Sequence, residues 1–165
     1  LDKPPEITVI AMSGAASDWG VGQVGRVVAS TPDIVLIEFG INDADLRHRI
    51  SLRVSADLHR QLVSELRAGL PDIAIALMTT NPAYGLRRVI RPRLARYYAQ
   101  YVVLADKLDL GLVDIYPRWL ALPRRAQGLA ADGLHPEQEV ASAVFLSALP
   151  PFLGRATGVD CPAPI

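Results

Sequence analysis

Cysteine is nearly absent. The single Cys161 cannot form a disulfide within the chain, so the redox compartment is left open. Histidine is scarce as well. His48, His59 and His135 lack the paired spacing of a metal site, and no metal is expected. Neither sign of charge is in surplus. Lys plus Arg total 17 and Asp plus Glu total 17, which argues against a strongly basic nucleic-acid binder. No apolar run reaches the roughly 18 residues of a membrane span. The longest, "VASAVFLSALPPFL", is shorter and contains Pro150 and Pro151. The opening "LDKPPE" is polar, without a signal peptide's apolar region or an initiator methionine. The expectation is therefore a fragment or a processed product. No glycine-rich phosphate loop follows an apolar run, which weakens a nucleotide-binding alternative.

What is present is a chain of 165 residues, half of them hydrophobic, enough for the core of one domain over 1–165. Four short runs are nearly continuous in apolar, largely β-branched residues: "ITVIAM" (7–12), "DIVLIEF" (33–39), "DIAIALM" (72–78) and "GLVDIY" (111–116). Strands buried on both faces look like this, and they imply a parallel sheet. Helical spacing fills the intervals. Ser17 or Asp18 is placed to cap the first helix, running to about 30. The second, over about 51–69, puts Val54, Leu58, Leu62 and Leu66 on one stripe. The third, over about 92–108, carries Leu94, Tyr98, Tyr101, Ala105 and Leu108, and the fourth covers about 136–149. Alternating strands and helices predict an α/β layered fold. Ligands in such folds bind at the carboxyl ends of the strands.

Four rim segments therefore matter: "SGAAS" (13–17), "GIND" (40–43), "TTNPAYG" (79–85) and the approach to "DGLHP" (132–136). In "GIND", the Asn42 amide is an uncharged donor suited to a developing oxyanion, and Gly40 removes bulk where a substrate could approach the backbone. An ordinary turn capped by Asn42 and Asp43 fits the same letters. In "SGAAS", the Gly14 N–H is a possible second donor, or Gly14 simply makes a tight turn. In "DGLHP", Asp132 and His135 are spaced for an acid–histidine pair, although turn and helix-start chemistry also suits Asp-Gly and Pro136. The segment 84–98 holds Arg87, Arg88, Arg91, Arg93 and Arg96. It is read first as a solvated face and second as a rim loop for anionic substrate groups. His48 and His59 are expected at the surface.

Taken in order, these motifs resemble the SGNH hydrolases, also called the GDSL esterase/lipase family. "GIND" is similar to its third block, "DGLHP" to its fifth and "MSGAAS" to its second, so the resemblance spans roughly 7–149. It implies a flavodoxin-like three-layer α/β/α sandwich with a parallel sheet. Asp132 and His135 would be the acid and base of a serine triad. Gly14 N–H and the Asn42 side chain would be oxyanion donors, with Gly40 beside them. The reaction would be hydrolysis of a small-molecule, carbohydrate or lipid ester through an acyl-enzyme, with no cofactor.

The family's first block, Gly-Asp-Ser, which carries the nucleophile, does not occur in the sequence. A strand–helix unit needs roughly 30 residues, and six precede Ile7. In family order that strand lies between the runs at 7–12 and 33–39. An N-terminal segment or a second chain is expected to supply it. Ser13 is the nearest substitute within the chain. The alternative is a non-catalytic binding module of the same fold.

Overall fold

The computed structural model describes residues 6–157, so Cys161 lies outside the described residues. Its sheet has three parallel strands in the order β1 (Ile34–Ile37), β2 (Ala74–Met78) and β3 (Gly111–Val113). The register aligns Val35 with Ile75, Ile37 with Leu77, and Leu77 with Leu112. Each parallel pair is joined through a long helix, as parallel connections require. Helix α4 (Leu52–Gly69) links β1 to β2, and α6 (Leu94–Leu108) links β2 to β3. Ser51 caps α4 by accepting the Val54 N–H at 3.2 Å. Asp109, at φ 51°, ends α6 in the left-handed region.

Alternation along the strands divides the core into two layers. Ile37, Ile75 and Leu77 face α4, α6 and α2 (Val24–Ala29), meeting Leu62, Leu66, Tyr101 and Leu104. Ala76 and Val113 face α7 (Tyr116–Ala121) and α8 (Gln138–Thr157), meeting Trp119, Val144 and Phe152. Burial of each such aliphatic side chain stabilises the fold by about 1.5–3 kcal/mol. Helix α1 (Ser17–Val21) precedes α2 and packs on α4. Helices therefore cover both faces of a parallel sheet, the three-layer arrangement implied by the sequence. Among the described residues no helix is long and apolar enough to cross a membrane.

Two expectations need correction. The run at 7–12 is not a strand, and its Ile7 and Val9 are 78% and 77% exposed. A strand is held by its neighbours, and among the described residues β1 pairs only with β2, which leaves its other edge without a described partner. Leu36 on that strand is 38% exposed. The buried stripe of α4 is also rotated from the predicted one. Val54 is exposed, whereas Ser55, Ala56, His59, Leu62, Val63 and Leu66 point inward.

Candidate active site

At the carboxyl end of β1 the chain turns directly into the short helix α3 (Gly40–Asp43), the "GIND" motif. Asn42 is not the cap of a neighbouring turn. Its side-chain Nδ2 donates to the Ala15 carbonyl at 2.8 Å, in the turn that also contains Gly14. One amide hydrogen of Asn42 is thereby used for placement, and the second has no acceptor among the described residues. Gly14 stands at φ +72°, a left-handed conformation that glycine adopts without strain. Asp43 is buried and ties the same two turns together. Its carboxylate accepts from the Ser17 N–H at 2.8 Å, the Ser17 hydroxyl at 2.8 Å and the Ser55 hydroxyl at 2.6 Å. Ser17 is thus no helix cap. Its side chain reaches across to Asp43, and Ala16 occupies the cap position.

At Gly40 a Cβ would stand 3.1 Å from the Tyr98 ring and 3.4 Å from Tyr101, so its small size lets α3 approach α6. Glu38, half-buried just before it, accepts the Ile41 N–H at 3.2 Å. Burial pushes its carboxyl up to about 7. The Ile41 and Gly40 N–H groups work in the other direction, and the nearby Asp43 charge adds to the rise. His59 is a correction as well. It is fully buried, bonded through Nδ1 to the Ser55 carbonyl at 2.7 Å and through Nε2 to the Tyr101 hydroxyl at 2.8 Å. Burial lowers its pKa, which favours a neutral ring. His48, at the end of the turn Leu46–His48, is exposed as expected.

The "DGLHP" segment forms a closed loop. The Ala130 N–H donates to the His135 carbonyl at 2.7 Å, and the Gly133 N–H donates back to Ala130 at 2.8 Å. Asp132 Oδ1 accepts the Leu134 and His135 N–H groups, each at 3.0 Å. Its Oδ2 meets His135 Nδ1 at 2.7 Å. The two backbone donors and the bond to the ring hold the Asp132 carboxyl well below the usual carboxylate range. An ionised Asp132 fixes Nδ1–H and leaves Nε2 of His135 free to accept a proton. The His135 side chain is 72% exposed, and among the described residues Nε2 has no hydrogen-bond partner. No serine hydroxyl reaches it within the described residues, and Ser13 is exposed with no side-chain bond.

The loop following β2, one of the four rim segments, joins the two halves of this site through Asn81 and Tyr84, to which the sequence assigned no role. Asn81 Nδ2 donates to the Leu134 carbonyl at 2.6 Å, and the Tyr84 N–H donates to the Gly133 carbonyl at 2.8 Å. Ala83 and Leu134 pack in one cluster with Ala44, Leu94, Tyr97 and Tyr98, with Ile41 against it. Helix α5 (Gly85–Val89) comes next and adds Arg87, whose Nη2 lies 3.4 Å from Asp132 Oδ2. The arginine run is therefore only partly a solvated face. Arg91 is buried, with Nε donating to the Ile41 carbonyl at 2.8 Å and Nη2 paired to Asp45 at 2.8 Å. Burial opposes the Asp45 charge, but the bonds from Arg47 and the Arg91 charge outweigh it and hold the carboxyl at about 2. The signal available in the sequence was the rim position of "TTNPAYG"; the acceptors its residues find depend on the tertiary fold.

The model of the GDSL-like lipase/acylhydrolase family matches residues 2–141, across both the Asn42 turn and the His135 loop. The chain belongs to that family. Solved structures share its fold. A lipase/acylhydrolase from Enterococcus faecalis superposes with a TM-score of 0.72 at 22% identity, over 92% of this chain and 75% of that one. A GDSL-like lipase from Bacteroides thetaiotaomicron gives 0.72 at 18% identity, over 87% and 73%. A catalytic mutant of an acetylxylan esterase from Geobacillus stearothermophilus gives 0.64 at 24%, over 82% and 68%. Comparison with curated proteins gave no match. Membership in the GDSL-like family supports a hydrolase of the SGNH type, with ester hydrolysis as its general chemistry.

Proposed function

We propose that this GDSL-like chain is a single-domain serine esterase acting through an acyl-enzyme. The observation that supports this best is the Asp132–His135 bond, with Nδ1 engaged at 2.7 Å and Nε2 directed to open space. His135 Nε2 takes the proton of the serine hydroxyl as its oxygen adds to the ester carbonyl. Asp132 stabilises the imidazolium that forms. The Gly14 N–H and the second hydrogen of Asn42 Nδ2 receive the oxyanion. The same His135 proton then passes to the leaving alcohol oxygen as its bond to the acyl carbon breaks. Water, deprotonated by His135, attacks the acyl-enzyme, and the acid is released as the serine oxygen recovers its proton. Substrates are small-molecule, carbohydrate or lipid esters.

The serine belongs to a further strand lying against the free edge of β1, contributed by a preceding segment or by a second chain. The unpaired edge, the exposed Leu36 and the exposed Ile7 and Val9 support this placement. A non-catalytic binding module is the second reading, favoured by the absence of any serine bonded to His135 among the described residues. The two separate on treatment of the full-length protein with a serine-reactive phosphonate. The esterase gains one adduct by intact mass and loses turnover, and His135→Ala lowers kcat by about 10³-fold or more. A folded wild-type protein with neither adduct nor turnover leaves the binding module.

A further inference from the structure

Beside the site lies a recess of about 280 Å³ between the loop following β2, α5 and the start of α6 and α7. Its apolar walls include Ala83, Tyr84 and Leu120, and its charged lining consists of Arg88 and Arg91, with no Asp or Glu. The neighbouring recess across Tyr84, about 320 Å³, differs in that Glu137 accompanies Arg124 there. Arg87 is engaged with Asp132 and Arg91 with Asp45, but Arg88 is exposed and has no carboxylate partner among the described residues. Arg91 retains one unsatisfied nitrogen, the buried Nη1. Tyr116 also lines the recess, half-buried, and its hydroxyl has no hydrogen-bond partner among the described residues. Burial and the neighbouring Tyr84 push the Tyr116 phenol up and the Arg88 charge draws it back, and both Tyr116 and Arg88 line the recess.

The recess is also joined to both halves of the catalytic arrangement. Arg91 bonds the Ile41 carbonyl beside Asn42, and the Tyr84 N–H bonds the Gly133 carbonyl within the His135 loop. The walls of the recess are thus bonded to the backbone on either side of the proposed site.

We propose that this recess is a subsite for a carboxylate-bearing part of the substrate, with Arg88 and the Tyr116 hydroxyl as its donors, so that the enzyme prefers esters of small acidic molecules. A guanidinium and a phenol over apolar walls suit a carboxylate attached to a short aliphatic or aromatic body. The assignment rests on the esterase chemistry proposed above, and its test separates the two.

The full-length protein is assayed on 4-acetoxybenzoate and on its neutral counterpart 4-acetoxybenzamide. The carboxylate ester is expected to have a kcat/KM at least about tenfold higher, with Arg88→Gln abolishing most of that preference and Arg88→Lys restoring part of it. In parallel, benzoate and benzamide are titrated by NMR. Benzoate alone should shift amides at 83–84, 88 and 116, and Arg88→Gln should remove those shifts. Turnover of both esters at equal kcat/KM, without benzoate shifts, overturns the subsite and keeps the esterase. Benzoate binding at the recess with no turnover of either ester keeps the subsite and removes the esterase. A preference unchanged in Arg88→Gln overturns the subsite.

Discussion

Asn42 divides its amide between architecture and chemistry. One hydrogen fixes it to Ala15 at 2.8 Å, and the other is the one proposed to receive the oxyanion. Asn42→Ala is therefore expected to lower kcat by about 10²–10³-fold, with little change in KM, as steady-state kinetics would record. A rise in KM alone would make Asn42 a substrate-positioning group. Glu38 makes a second prediction, in stability. With its carboxyl raised from 4.5 to about 7, the folded chain holds a proton that the unfolded chain gives up in that interval. Its contribution is complete below pH 4.5 and is lost as pH rises through about 7, on the order of 2–3 kcal/mol. Glu38→Gln should match the wild type in denaturant unfolding near pH 4.5 and exceed it by that order at pH 8. A difference independent of pH refutes the assignment. His59 has the opposite sign, losing stability as pH falls below its ordinary value, and it cancels because both proteins carry it. Asp132 and His135 were legible in the sequence because their bond is local, three residues apart. Asn42 to Ala15 and Ser17 to Asp43 were not, since those contacts exist only after β1 and α1 are assembled. His59 was misread because the stripe chosen for α4 ran through Val54 and Leu58, whereas the inward positions are 55, 59, 62 and 66.

Loops between elements, more than the elements, decide where His135 sits. The histidine loop touches the body of the protein through Asn81 and Tyr84, both in the connection following β2. Asn81 is buried and serves the Leu134 and Pro82 carbonyls with one amide nitrogen. Asn81→Ala strands those acceptors and should cost about 1–3 kcal/mol in thermal or denaturant unfolding. It should also lower kcat, because His135 loses its bearing; full kcat in the destabilised variant would show that the loop holds its shape unaided. Strands β1, β2 and β3 and the helices α4, α6 and α8 were legible as elements from their residue types and helical spacing, whereas the stretch from 17 to about 30 is two short helices, α1 and α2, and not one. The run at 7–12 has the same composition and is not a strand, because composition supplies propensity and a neighbour supplies the hydrogen bonds.

At the scale of the whole molecule, both faces of the sheet carry helices, and among the described residues β1 and β3 are both edge strands, with β1 the edge that faces the proposed site of the serine-bearing strand. That edge is parallel-sheet backbone with Leu36 beside it, and the exposed Ile7, Val9 and Met12 add apolar surface. In the active enzyme this is where the serine-bearing strand is proposed to lie. In the 165-residue chain by itself the same backbone is a template for any extended partner, including another copy. Concentration then becomes a variable of the molecule. Sedimentation velocity on the isolated chain should show reversible self-association that grows with loading, suppressed by Leu36→Lys and by the presence of the strand-bearing segment. A chain that stays monomeric throughout would mean the edge is already shielded. On the proposed reading, the place kept for the strand of the nucleophile is also the place through which the isolated chain would meet copies of itself.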